Sequence, residues 1–313
     1  MIRRSLGARL MGGPDMRRTA GVVTADRIAV GLVEDAHLVG PIHHFPEHGT
    51  TADVFQGLPP EGVSLCIQEQ IEKSIKGQTI AAVGLGFPGI INNGIISESP
   101  NLHQVKGLNL QQTISAALRE HNVDVAVAVF NDADVMAAGI AATRGHLDRL
   151  IRVWTLGYGV GFGRYPATEG IWEGGHSVVS LDPKERFCGC GGSGHLEGIM
   201  GHRAMRLRFL DMEPEEVFAN AKTGDSRCAA FVHLWHRALA AATSTSIHMD
   251  GPGKFYLTGL NARFVDLGLL NEYVQEMVKL SPLQGYVFEV VPGGDEIAII
   301  GAAVNAERAA FGT

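Results

Sequence analysis

Between His176 and Glu197 the chain reads HSVVSLDPKERFCGCGGSGHLE. Four side chains in this stretch are of the kinds that borderline metals favour. Cys188 and Cys190 sit two apart, His195 follows five later, and His176 stands twelve before the first Cys. Two thiolates and two imidazoles make a closed tetrahedral set for Zn2+. Four protein ligands leave no open position for an activated water, so the spacing predicts a structural metal, not a catalytic one. The glycines at 189, 191, 192 and 194 let a short backbone fold round an ion. The competing account is a Gly-rich turn with two incidental thiols. The chain has only two other Cys, which weighs against it.

Asp132 is the candidate general base. It follows an apolar run and opens a small-residue helical pattern, so its carboxylate can face a cleft and take a proton from a hydroxyl. The plainer account is that Asp132 simply caps that helix. Asn131 offers an amide to the same ligand, or serves only as a turn residue. Glu173, Glu197 and Asn101 are polar groups able to hold several hydroxyls at once, although each alone reads as surface. The segment GYGVGFG at 157–163 offers backbone N–H groups to phosphates. It lacks the Lys-Ser/Thr of a P-loop, and a Gly-rich turn without a ligand competes with that reading. PIHHFPEHG at 41–49 reads as a strand and loop, and its His43, His44 and His48 read as polar loop residues in preference to a metal cluster, since no Cys or carboxylate but Glu47 completes a ligand set. His233 and His236 read as one helix face.

The elements that must position these groups alternate strand and helix. Apolar β-branched runs at 20–33, interrupted by TAD, predict a hairpin. Further strands are expected at 80–87, 123–130, 151–156, 254–257 and 286–291, and helices at 63–76, 108–121, from 132 to Gly145, 195–210, 227–248, 261–280 and 295–310. This alternation predicts an α/β fold with largely parallel strands in mixed sheets. Polar or Gly-rich turns follow the strands at 88–89, 131–132, 157–163 and 258–259, where such sheets bind ligands. Four of them, in two halves of the chain, predict a cleft between two lobes.

Composition narrows the function. The 313 residues predict two domains or lobes. A formal charge of −7 argues against nucleic acid as a partner. No apolar stretch is long enough to span a membrane. Four Cys in a chain this long make no disulfide framework, so a reducing cytoplasm is expected. Cys66 and Cys228 read as small buried apolar residues. Residues 1–18 carry Arg3, Arg4, Arg9, Arg17 and Arg18 without an apolar core, and read as a flexible extension.

Taken together, these motifs resemble the ROK family (repressors, open reading frames and sugar kinases), from about residue 20 to the C-terminus. CGCGGSGHLE at 188–197 is similar to the family signature C-x-C-G-x-x-G-C-x-E. WEGGH at 172–176 resembles its G-E-x-G-H, FND at 130–132 its N-D-A motif, GFPG at 86–89 its sugar-side turn and SPNL at 99–102 its sugar-binding Asn. The resemblance implies a two-lobed, actin-like and ribonuclease H-like architecture with mixed central sheets. The expected division is a small lobe over 19–130 plus 296–313 and a large lobe over 131–295 with the zinc site. It implies a small-molecule sugar in the cleft and phosphoryl transfer from Mg2+ and ATP. Asp132 would be the base. Asn101, Asn131, Asp132, Glu173, His176 and Glu197 would bind the sugar, with His176 shared between sugar and zinc. Gly157, Gly159, Gly161, Gly163 and Gly259 would lie on the nucleotide side. A homodimer is expected by family analogy.

The departures from the family pattern lie in particular places. The third Cys is His195, which keeps a Cys2His2 set. The first phosphate loop, D-x-G-G-T-[KR], aligns with Val22, Val23, Thr24, Ala25, Asp26 and Arg27, so the acid, both glycines and the Thr are gone from their places. Tyr158 and Phe162 interrupt the second loop, and Thr258-Gly259 stands for a Gly-Gly pair. Because phosphoryl transfer depends on positioning and charge neutralisation, three readings follow. The chain is a sugar kinase with unusual nucleotide loops. Alternatively, it is a sugar sensor of the same fold without kinase activity, or an enzyme that converts sugar without nucleotide, using Asp132 with Glu173 or Glu197. About eighteen residues before the first strand are too few for a helix-turn-helix, so a direct repressor is not expected.

Overall fold

The computed structural model describes residues 17–24, 27–48, 54–55, 57–99, 102–167, 173–279 and 287–312. Residues 1–16 of the expected extension, Asn101, and Ala25 and Asp26 of the first hairpin lie outside the described residues.

Two mixed sheets carry the fold. The first has the order β3-β2-β1-β4-β7, from β1 (Thr19–Thr24), β2 (Ile28–Glu34), β3 (His37–Phe45), β4 (Ala82–Phe87) and β7 (Ala126–Asn131). β1, β2 and β3 pair antiparallel, whereas β1–β4 and β4–β7 are parallel. The second has the order β11-β10-β8-β9, from β8 (Ile151–Leu156), β9 (Val160–Tyr165), β10 (Lys254–Thr258) and β11 (Val287–Val290). Only β8–β9 is antiparallel there. A small hairpin, β5 (Ile90–Asn92) and β6 (Ile95–Glu98), extends the turn after β4.

Strand alternation sorts the side chains into layers. In β4, Val83, Leu85 and Phe87 pack under α1 (Pro60–Ile75) and α2 (Leu110–Glu120). The opposite face meets α9 (Asp295–Phe311), which also packs on α3 (Asp132–Thr143). In β8, Ile151 and Val153 face α3, whereas Trp154 and Leu156 join the largest core. That core is closed by α4 (Leu196–Met200), α5 (His202–Arg208), α6 (Pro214–Lys222), α7 (Ser226–Asp250) and α8 (Leu267–Met277). Strands covered on both faces explain the nearly unbroken apolar runs of the sequence. The Ala-rich α3 and α9 fill the space between the sheets, and small side chains let these helices approach closely.

Three local expectations are corrected. GYGVGFG is not a loop throughout: only 157–159 turns, and Val160–Tyr165 is a strand paired with β8. The helix expected over 195–210 breaks at Gly201, whose extended ψ of 139° separates α4 from α5. The helix expected over 261–280 is a 3-10 turn, Leu260–Phe264, followed by α8. Its break falls at Asp266, which caps α8 by accepting the N–H groups of Gly268 and Leu269. Among the unforeseen elements, two stand out. One is the β5–β6 hairpin; the other is α6, which starts with Pro214 and carries a reciprocal Glu213/Glu216 capping box.

Candidate functional site

β7 delivers Asn131 and Asp132 to the start of α3. Asn131, not Asp132, is the N-cap. Its extended backbone lets Oδ1 accept the Ala133 N–H at 2.8 Å, while Nδ2 donates to the Gly89 carbonyl at 2.8 Å. The amide of Asn131 therefore ties the helix start to the turn after β4. Asp132 shares the same Ala133 N–H at 3.0 Å through its carboxylate. Desolvation pushes that carboxyl up to about 6, backbone N–H groups oppose the shift, and the charge of Glu173 adds to it. A base tuned to this range is ionised at neutral pH and still basic enough to take a hydroxyl proton.

Asp134, one of two acids in the first turn of α3, was not singled out in the sequence. Burial pushes it up to about 6 as well. It accepts the backbone N–H of Arg164 at 3.0 Å, which locks α3 to β9. Gly163 makes that approach possible: a Cβ there would overlap the carbonyl of Ala133. Its role is thus close packing beneath Asp132, and Gly161 likewise packs on Thr155.

The candidate metal set comes together in space. One ligand atom from each of His176, Cys188, Cys190 and His195 lies within 4.8 Å of all the others. Sγ of Cys188 and Cys190 are 3.3 Å apart, and Cys190 Sγ is 3.2 Å from His195 Nδ1. Ligands at about 2.0–2.3 Å from a tetrahedral zinc are separated by roughly 3.3–3.8 Å. These two separations lie near the lower end of that range, and two thiols with two imidazoles are donors that such an ion takes. Burial lowers the pKa of His195, and nearby His176 lowers it further; both favour the neutral imidazole that binds metals. Burial pushes the Cys188 thiol up to about 12, and neighbouring Glu197 adds to this. A cation supplies the charge that makes a coordinated thiol a thiolate.

Backbone pairing brings the segment after His176 alongside His195. Leu196 N–H donates to Ser177 O at 2.9 Å and Val179 N–H to Gly194 O at 2.8 Å. Arg208 on α5 holds the intervening loop through Glu185 and stacks on Phe187 at 4.3 Å. Glu173 precedes the 3-10 turn Gly174–His176, with its Oε2 3.6 Å from His176 Nδ1. Glu173, His176 and the metal set thus form one group, and the charge of Glu173 reaches Asp132. Glu197 joins it from the far side: Oε1 lies 3.3 Å from Cys188 Sγ, and Oε2 accepts the Val160 N–H at 3.1 Å.

The turn 157–159 and Gly259 sit together at the C-terminal ends of β8 and β10. Gly259 has φ +94° and backs onto the Leu156 carbonyl. Buried Asn261 donates to Gly157 O at 2.9 Å and pairs with His202 Nδ1 at 3.2 Å. An open cavity of 760 Å³ beside Tyr158 is lined by His202, Arg203, Arg206, Leu210 and Glu216, among others. At the first hairpin Val22 is fully buried in the apolar core, and Thr24 donates to Gly86 O at 3.1 Å. Arg27 lies 3.8 Å from Asp295, which also holds His44 at 3.0 Å.

Comparison with known proteins agrees with this architecture. The sequence model of the ROK family matches residues 46–309. A glucokinase of Pyrobaculum calidifontis is 27% identical over 257 residues, covering 76% of this chain and 83% of that protein. The ROK hexokinase of Thermus thermophilus superposes with a TM-score of 0.72 at 22% identity, over 95% of this chain and all of that one (100%). A ROK family glucokinase from Streptomyces griseus, in complex with glucose and AMPPNP, gives 0.66 at 20% identity, over 93% and 99% of the two chains. At such identities the two structures establish the two-lobed, actin-like fold. With the sequence match spanning most of its length, the chain belongs to the ROK family.

Proposed function

We propose that the chain is a sugar kinase that transfers the γ-phosphoryl group of Mg-ATP to a hydroxyl of a hexose or amino sugar. One observation carries this reading. Asp132, pushed up to about 6 by burial and by the charge of Glu173, opens the helix that packs on β9, and Glu173 in turn lies 3.6 Å from His176. The sugar hydroxyl oxygen attacks phosphorus as its proton passes to Asp132, and the bond to the ADP oxygen breaks. Glu173, His176, Asn101, Asn131 and Glu197 are proposed to hold the sugar. Gly157, Gly159 and Gly259 are proposed to take the phosphate side, with Gly161 and Gly163 supporting it through β9. Zinc in the Cys188, Cys190, His176 and His195 set supplies shape and no reaction step. The glucokinase relative supports the substrate class. The reading brings with it a cytoplasmic location and a homodimer. Among the described residues, no helix is long and apolar enough to cross a membrane.

A second reading, sugar binding without phosphoryl transfer, is raised by buried Val22 and bonded Thr24 at the first phosphate loop, although the kinase relatives do not favour it. Purified protein incubated with Mg-ATP and a panel of hexoses separates the two. Kinase activity yields sugar phosphate and ADP in equal amounts, lost in Asp132→Asn. Thermal stabilisation by a sugar with no product and no response to Mg-ATP establishes the second reading instead.

A further inference from the structure

We propose that the metal loop positions the nucleotide-side turn as well as the sugar carboxylates, with Glu197 as the positioning residue and Val160 as the point it grips. The inference rests on the kinase reading only for the identity of what the turn binds.

Both backbone polar groups of Val160 meet residues adjoining metal ligands. Its N–H donates to Glu197 Oε2 at 3.1 Å, two residues after His195. Its carbonyl presses on Gly175, one residue before His176, so closely that a Cβ at that glycine would overlap it. The turn itself is drawn to the same place. A Cβ on Gly159 would lie 2.5 Å from Glu197 Oε2. His202 N–H donates to Gly157 O at 3.0 Å and Arg203 N–H to Tyr158 O at 3.4 Å. Gly201, at the break between α4 and α5, donates to Glu197 O at 2.9 Å.

The 157–160 segment is therefore clamped between the two stretches of chain that an ion at His176 and His195 holds together. Removing the ion lets those stretches separate, and the grip on Val160 loosens with them. Coupling of this kind is reciprocal: whatever orders the turn also favours the assembled metal set. Glu197, two residues after His195, holds the loop amide through Oε2 and is the physical link between the two sites. The break at Gly201 serves the same end, because a continuous helix would carry the His202 and Arg203 amides away from the turn.

Amide hydrogen exchange tests this without sugar or nucleotide, so a failed kinase assay leaves it standing and its own failure leaves the kinase reading intact. Zinc-loaded wild type, zinc-loaded Glu197→Ala and Glu197→Gln, and chelated wild type are compared. Metal content is measured in parallel. In the zinc-loaded Ala variant, exchange at Val160 is expected to rise at least about tenfold, the factor that 1.4 kcal/mol of lost protection gives. Glu197→Gln keeps an acceptor oxygen for the amide and restores most of the protection. Chelated wild type shows the same local rise. Unchanged exchange at Val160 in the Ala variant overturns the proposal. So does a Gln variant no better than Ala. Unchanged exchange at Val160 in folded, zinc-free wild type overturns it as well, and if chelation unfolds the chain, partial zinc loading that leaves Val160 exchange independent of metal content does the same.

Discussion

Acidification should switch the reaction off through Asp132, and the structure fixes where. Its carboxyl is pushed up from the usual 3.8 to about 6, first by desolvation, with Glu173 adding to the shift. A base must be ionised to accept a proton. Between pH 7.5 and pH 5 the ionised fraction of such a group falls from nearly all to about one tenth, so kcat/KM should drop about tenfold. Asp134 titrates in the same range, and the limb should be read as the behaviour of the pair. The assay is direct quantification of ADP and sugar phosphate, since coupling enzymes have pH limits of their own. Glu173→Gln removes a charge that raises the pKa of Asp132, so its limb should move to lower pH. Stability follows the same groups with a defined sign. Their folded pKa values lie above the unfolded ones, so they stabilise the fold below about pH 4, and this contribution is lost as pH rises to about 6. Asp132→Asn should flatten that slope in melting temperature. A rate constant from pH 5 to 7.5, or a Glu173→Gln limb displaced upward, would refute the assignment of Asp132 as the base.

Two other expectations concern the supports of the site. Cys190→Ser removes one metal ligand, so zinc measured by atomic absorption should fall well below one per chain, with sugar affinity falling alongside it; intact affinity in the zinc-free variant breaks the link between them. Gly163→Ala places a methyl group on the Ala133 carbonyl and forces β9 away from the helix that carries Asp132. A misplacement of about 1 Å costs on the order of a hundredfold in kcat; sugar affinity, read by calorimetry, should change far less.

How much was legible depended on whether a signal was local. The metal set was read from the spacing of Cys188, Cys190 and His195, and the pairing of Leu196 with Ser177 explains why a ligand as remote as His176 belongs to it. Asp132 stood out because a strand and a helix pattern met there, yet the cap fell to Asn131: either side chain can accept from Ala133, and the backbone decides between them. The glycines of 157–163 were ambiguous. The same residue permits approach to a phosphate or to a neighbouring helix, and Gly163 does the second. Asp134 carried no signal, since its burial arises from β9 crossing α3, thirty residues later in the chain. Glu197 could be assigned to a sugar by motif, but its hold on Val160 depends on a β8–β9 hairpin that the Gly-rich sequence concealed.

With a divalent cation in the candidate metal set, the imidazole of His195 in place of a third thiolate would alter the electrostatics of the pocket. Two thiolates and two neutral imidazoles balance a divalent cation, so the occupied centre carries no net charge; with three thiolates it would be an anion. Asp132 and Glu173 already crowd negative charge into one recess, and a neutral neighbour adds nothing to that repulsion. An anionic centre would raise the carboxyl pKa values further and repel a polyphosphate approaching the 157–159 turn. The substitution also leaves one fewer sulfur open to oxidation, on a loop where Cys190 is exposed to solvent.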